Sequence, residues 1–116
     1  MANLPEANYR ELLLLLLRRR RRFKITGASM LPMLHPGDEI LIDPFAYQKS
    51  LPKHGDLVVA THPHHGKLTI VKRVSAIDAE GKCFLTGDNL SISTDSRQWG
   101  AIAATDLIGK VTCYFL

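Results

Sequence analysis

The chain has 116 residues, 46% of them hydrophobic and 22% charged, which suits one domain with a single modest core. That composition excludes a collagen-like, disordered or repeat-array protein. The net charge of +4 rests on one run, Arg18 to Arg22, without which the chain would carry about −1, so charge alone makes no case for nucleic-acid binding.

The first element read along the chain is a helix from Pro5 to about Arg20. Asn3 is placed to cap it, Pro5 suits its first turn, and Glu6 suits the positive end of the helix dipole. Leu12 to Leu17 are six consecutive leucines, but six helical residues rise roughly 9 Å against a hydrocarbon core of about 30 Å. A secretory signal would also carry its charges before the apolar stretch rather than after it. The reading is a soluble, cytoplasmic protein in which the leucines pack on the domain and the arginines are solvated. The alternative is peripheral contact of residues 12–22 with an anionic membrane or a partner. Nucleic acid is not expected as a partner.

From Phe23 the pattern changes to short strands and turns. Phe23 to Thr26 alternates apolar and polar residues. Pro36-Gly37 signals a type II turn leading into a buried strand, Glu39 to Asp43. Gly55-Asp56 precedes a strand from Leu57 to His62. His62 to Gly66 reads as a hairpin loop and Leu68 to Ser75 as the returning strand. Lys82 to Thr86 and Leu107 to Phe115 are further strands, and Gly87 to Arg97 is polar and loop-like. The fold class is mainly β, a folded sheet or barrel with an N-terminal helix. Residues 1–22 are read as the helix and basic run, and 23–116 as one domain. Cys83 and Cys113 stand alone in apolar runs and read as buried thiols.

Three segments hold residues capable of chemistry. In Gly27-Ala28-Ser29-Met30-Leu31-Pro32 a serine follows a glycine hinge, and Pro32 stiffens the chain beyond it. Such a turn offers a nucleophilic hydroxyl and a backbone N–H for an oxyanion, although a serine in a glycine turn is also an ordinary structural feature. In Ile70-Val71-Lys72-Arg73-Val74, strand alternation sets Lys72 on the face of Ile70 and Val74. If that face is buried, desolvation lowers the lysine pKa and makes the amine a base; on an edge strand the side chain would instead reach water. Gly87-Asp88-Asn89, then Ser93-Thr94-Asp95-Ser96-Arg97, supplies the short polar side chains an ordered loop needs. There Asp95 is placed to pair with Arg97 or Arg73, and Ser93 to orient the lysine amine.

Taken together, the order and spacing of these segments resemble the signal peptidase I family of Ser–Lys proteases. Gly27-Ala28-Ser29-Met30-Leu31-Pro32, with Leu34 and Pro36-Gly37-Asp38, looks like that family's nucleophile box. Gly55 to Val59 followed by Val71 to Val74 looks like its lysine box, and residues 87–97 like its third. The resemblance implies a signal peptidase I-like fold, with Ser29 as nucleophile and Lys72 as general base. It also implies support from Ser93, Asp95, Arg97 and Arg73, and an oxyanion contact from the Ser29 N–H. Where some family members carry a second, hydroxyl donor, this chain has Gly27, which leaves that donor open. Met30 and Pro32 are candidate substrate contacts. His62-Pro63 and the stretch 93–100, together with the expected lack of an anchor, are similar to the nickel-type superoxide dismutase maturation proteases. That similarity implies a leader-bearing protein substrate, the dismutase precursor, and no cofactor.

Other readings use the same residues. His62, His64 and His65 suit nickel by ligand type, but Pro63 interrupts them and no fourth ligand is evident, so no metal is expected. His35 or His54 could serve a Ser–His–Asp triad, yet neither lies in a matching segment. Ordinary signal peptidase activity on exported proteins is the second enzyme reading. The self-cleaving repressor peptidases also use Ser and Lys, but their third segment fits less well. An inactive module that binds extended peptides is the reading from another class.

Overall fold

The computed structural model describes residues 4–91 and 93–115. Its centre is β3 (Leu57–His62), where Leu57, Val58, Val59 and Ala60 are all buried. Successive side chains of a strand face opposite ways, so such a run needs apolar cover on both faces. Leu57 and Val59 pack with Ile25, Met30, Leu34, Ile40, Ile42 and Val111 on one side. Val58 and Ala60 pack with Val74, Cys83, Leu85 and Ile102 on the other. Each large aliphatic side chain so buried contributes about 1.5–3 kcal/mol.

Around β3 the chain forms β1 (Arg21–Lys24), β2 (Glu39–Asp43), β4 (His65–Ile77), β5 (Cys83–Thr86) and β6 (Leu107–Phe115). These make one six-stranded antiparallel sheet in the order β1-β2-β6-β3-β4-β5. Register shifts in four of the five strand pairs bend it into the folded sheet expected of the sequence. β5 pairs β4 only from Arg73 onward, so the His65–Lys72 part of β4 runs beyond it.

The strand bounds of β2, β3 and β6 match the sequence reading. The expected turns are present too: Asp38 N–H donates to the His35 carbonyl at 3.0 Å, with Gly37 at φ +92°. Other bounds differ. β1 begins at Arg21 rather than Phe23, because Arg22 forms a two-point ion pair with Glu39 on β2, at 3.1 and 2.6 Å. The β3–β4 hairpin turns on Pro63 and His64 alone, since His62 and His65 already belong to the strands. Cys83 and Cys113 are free, buried thiols, as expected.

The N-terminal helix is shorter than expected. α1 covers Tyr9–Leu16 and is capped by the Asn8 side chain, which accepts from the Glu11 N–H at 2.9 Å; Asn3 lies outside the described residues. Pro5 to Ala7 are unavailable to the helix because they bond to Tyr114 of β6. At the other end Arg18 takes φ +61°, and the Arg18 and Arg19 N–H groups close back on the Leu15 and Leu14 carbonyls. Nor do the leucines simply pack on the domain. The helix faces the sheet with Glu11, which takes Arg20 at 2.9 Å and Thr112 at 2.5 Å, while Arg20 also approaches Asp43 at 3.7 Å. Leu12, Leu13, Leu16 and Leu17 are exposed.

Removing one partner from a buried ion pair strands the other charge. Glu11→Ala is therefore expected to destabilise the chain by about 2 kcal/mol or more, read as a lower urea midpoint. A midpoint equal to the parent's would mean that Glu11 does not anchor α1.

Candidate active site

Lys72 sits opposite Val58 in the β3–β4 ladder and is 4% exposed. Its side chain therefore leaves the sheet on the buried face, with Val74, as strand alternation requires. Burial drives its pKa below the ordinary lysine value; the Asp95 charge opposes that shift and Arg97 adds to it. The Nζ donates to Ser93 Oγ at 3.0 Å, and Ser93 Oγ donates to Asp95 Oδ2 at 2.7 Å. An ionised carboxylate only accepts, so the Ser93 proton must point at Asp95, and the serine lone pairs take the lysine N–H. The order of donors fixes the amine from behind.

Asp95 is fully buried, which by itself would raise its pKa. Arg97 and the Gly87 N–H, with Ser93, outweigh that effect and hold it at about 2. The Arg97 Nε lies 2.9 Å from Oδ1 and the Gly87 N–H donates to Oδ2 at 2.9 Å. Asp95 also caps a short helix, α2 (Ser96–Trp99), in a capping box with Gln98. Arg97 further donates to the Leu90 and Ser93 carbonyls, at 2.8 and 3.0 Å, closing the loop on itself.

Ser29 opens the turn after β1. Gly27 at φ +77° reverses the chain, and Met30 and Leu34, both buried, hold the turn down in the core. The turn is tied to the third segment by Asn89, whose backbone N–H donates to the Ser29 carbonyl at 2.8 Å and whose side chain donates to the Ala28 carbonyl at 3.2 Å. Among the described residues no hydrogen bond engages the Ser29 hydroxyl or N–H. Ser29, Gly27, Met30 and Lys72 line one cavity of about 380 Å³ between β1 and β4. Pro32 is exposed and lies outside that lining.

Arg73 braces the site differently from one of the expected arrangements. It pairs in two-point fashion with Asp88 rather than Asp95, at 2.8 and 2.9 Å, and donates to the Gly55 carbonyl at 2.9 Å. Arg73 neighbours Lys72 on the strand and so faces the other way, where Asp88 meets it. Two contacts had no counterpart in the sequence reading. A Cβ on Gly87 would stand 2.2 Å from Ser93 Oγ and 2.6 Å from the Ser29 carbonyl oxygen, so this glycine permits the close approach of the two loops. The Trp99 ring lies 4.7 Å from that of His62, joining α2 to the hairpin. Its neighbour His65 is 4.9 Å from His62, but among the described residues no group of three His, Cys, Asp or Glu side chains is arranged to hold a metal ion.

This constellation spans segments that also match a known family model, "Signal peptidase, peptidase S26", over residues 12–80 and 78–116. The chain belongs to the signal peptidase family, S26. It is 34% identical over 70 residues to a signal peptidase I of Buchnera aphidicola, a match covering 50% of this chain and 23% of that one. It is 28% identical over 107 residues to the mitochondrial ATP-independent inner membrane protease subunit 1b of Arabidopsis thaliana, covering 73% and 63%. A signal peptidase I of Pseudomonas aeruginosa is 29% identical over 102 residues, covering 76% and 33%. The chain thus spans less than two thirds of the length of each of these relatives. The family takes its name from its peptidase members.

Filling the Gly87 gap forces Ser93 or Ser29 to move. Gly87→Ala is expected to cost about 1–3 kcal/mol in chemical denaturation and to weaken any activity that needs both loops. Unchanged stability would show that the loops can part without strain.

Proposed function

We propose that this chain is a serine endopeptidase with Ser29 as nucleophile and Lys72 as general base. In this reading it removes an N-terminal leader, and its substrate is the nickel superoxide dismutase precursor. The observation that carries the catalytic part is the buried Lys72 amine, fixed by Ser93 and Asp95 in a cavity it shares with Ser29. A neutral amine accepts the Ser29 proton as the hydroxyl oxygen attacks the scissile carbonyl. The ammonium then returns that proton to the leaving amine. The Ser29 N–H, unengaged among the described residues, donates to the oxyanion; Gly27 adds no side-chain donor. Water repeats the attack on the acyl-enzyme, with Lys72 again as base, and frees the carboxylate and Ser29. Ser93, Asp95 and Arg97 keep the amine oriented, and Arg73 with Asp88 holds the lysine strand against the third segment.

The substrate assignment is supported by the likeness of His62-Pro63 and residues 93–100 to the dismutase maturation proteases. The packing of Trp99 on His62 gives those two segments a shared structural role. A second reading, cleavage of exported preproteins, is favoured by the relatives that carry the name signal peptidase I.

Ser29→Ala and Lys72→Ala are each expected to lower peptide cleavage by roughly a thousandfold or more with the fold intact. Lys72→Arg should be as inactive, because guanidinium stays protonated. Since only the deprotonated amine acts, cleavage should rise with pH and level off above the folded Lys72 pKa, with its midpoint below the ordinary value of about 10.4. Near-parental turnover in Lys72→Ala would remove the dyad.

Incubation of the purified chain with the dismutase precursor, followed by sequencing of the new N-terminus, tests the substrate. A cut immediately before histidine is the expected product. Cleavage of an exported preprotein in its place would favour the second reading. Cleavage of neither, with peptide binding unchanged in Ser29→Ala, would leave a binding module.

A further inference from the structure

A surface helix ordinarily turns its apolar face inward and its charges outward. α1 departs from this pattern: it buries an acid beside the half-buried Leu14 and Leu15 and turns its other leucines outward. Its buried side chain is Glu11, locked by Arg20 and Thr112. The residues around the opposite side are Tyr9, 91% exposed, Leu13, 54%, and Leu16, 79%, flanked by Leu12 and Leu17. At 100° per residue these five positions form one continuous outward stripe centred opposite Glu11. The arrangement is not a frayed end, because both termini of the helix are closed: Asn8 caps the first turn, and the Arg18 and Arg19 N–H groups close the last. The ion pair beneath therefore keeps the leucines in solvent.

The charges beside the stripe identify what covers it. Arg20 and Arg22 are neutralised by Glu11 and Glu39. Among the described residues no carboxylate lies within ion-pair distance of Arg10, Arg18, Arg19 or Arg21. A second copy of this face would set those cations against their own kind. An anionic bilayer surface offers the opposite charge together with an acyl boundary for the leucines. We propose that α1 and the arginines after it dock on the surface of an anionic lipid bilayer, the helix lying in the plane of the interface. The helix lies on the membrane and does not cross it: its eight residues span about 12 Å. Docking is independent of the peptidase reading, since it uses neither Ser29 nor Lys72.

The test is co-sedimentation of the full chain with vesicles of phosphatidylcholine alone, or of phosphatidylcholine with phosphatidylglycerol, at low and high salt. The chain is expected to pellet with the anionic vesicles and to be released by salt. Leu13→Ser/Leu16→Ser and Arg18→Glu/Arg19→Glu should each weaken the partition by roughly tenfold or more, with melting curves that show both variants folded. Three results would overturn the proposal. One is no association with either vesicle, and another is equal association with neutral vesicles at high salt. The third is a concentration-dependent dimer, seen by sedimentation velocity and abolished in Leu13→Ser/Leu16→Ser, which would make a second copy the occupant.

Discussion

A carboxylate removed from water stays ionised only where cations and N–H groups replace its hydration, and Asp95 meets that condition through residues of its own loop. Most of the site follows from this one charge. It sets the direction of the Ser93 hydroxyl, and through it the position of the Lys72 amine. It begins α2, which brings Trp99 to His62. It also holds Gly87, which leaves room for the Ser29 carbonyl beside the third segment. The lysine feels two opposed effects: burial disfavours its charge while Asp95 favours it. Because Ser93 stands between them, the carboxylate positions the amine without forming a direct ion pair with it.

The two-sided burial of β3 explains how such a small chain supports this arrangement. One layer anchors the Ser29 turn through Met30 and Leu34; the other packs under the Lys72 strand through Val58 and Val74. The nucleophile candidate and the base candidate thus rest on opposite faces of the same strand. Asn89 ties the Ser29 turn to the third segment, whose Ser93 holds the Lys72 amine. The sheet supplies rigidity, and the loop supplies the polar contacts.

How much of this was legible in the sequence depended on whether the cause was local. β2, β3 and β6 were readable because runs such as Ile40-Leu41-Ile42 have only one way to hide, and the turns at Gly37 and Gly55 because each uses a positive φ. The burial of Lys72 between Ile70 and Val74 was one of two options on the sequence, and the register opposite Val58 decides between them. Pairings that depend on which loops meet were not legible. Arg73 finds Asp88 rather than Asp95 because of strand pleat. The helix bounds were missed because Pro5 to Ala7 bond to Tyr114, far along the chain. Leucine content suggested packing on the domain, yet the single acid among those leucines is what the helix buries.

The overhang of β4 beyond β5 has a further consequence. Between His65 and Lys72 the strand has a partner on its β3 side, while its pairing with β5 begins only at Arg73. An open strand edge offers main-chain donors and acceptors to any extended chain that reaches it, including another copy of the same protein. Here the edge is short, and the exposed Lys67 sits within it, at the rim of the cavity that holds Ser29. A charged side chain in such a strip discourages stacking of identical edges, because each copy would bring the same charge to the seam. The backbone stretch open to an added strand is thus also the stretch that lines the cavity, so whatever pairs with this edge lies beside Ser29 and Lys72.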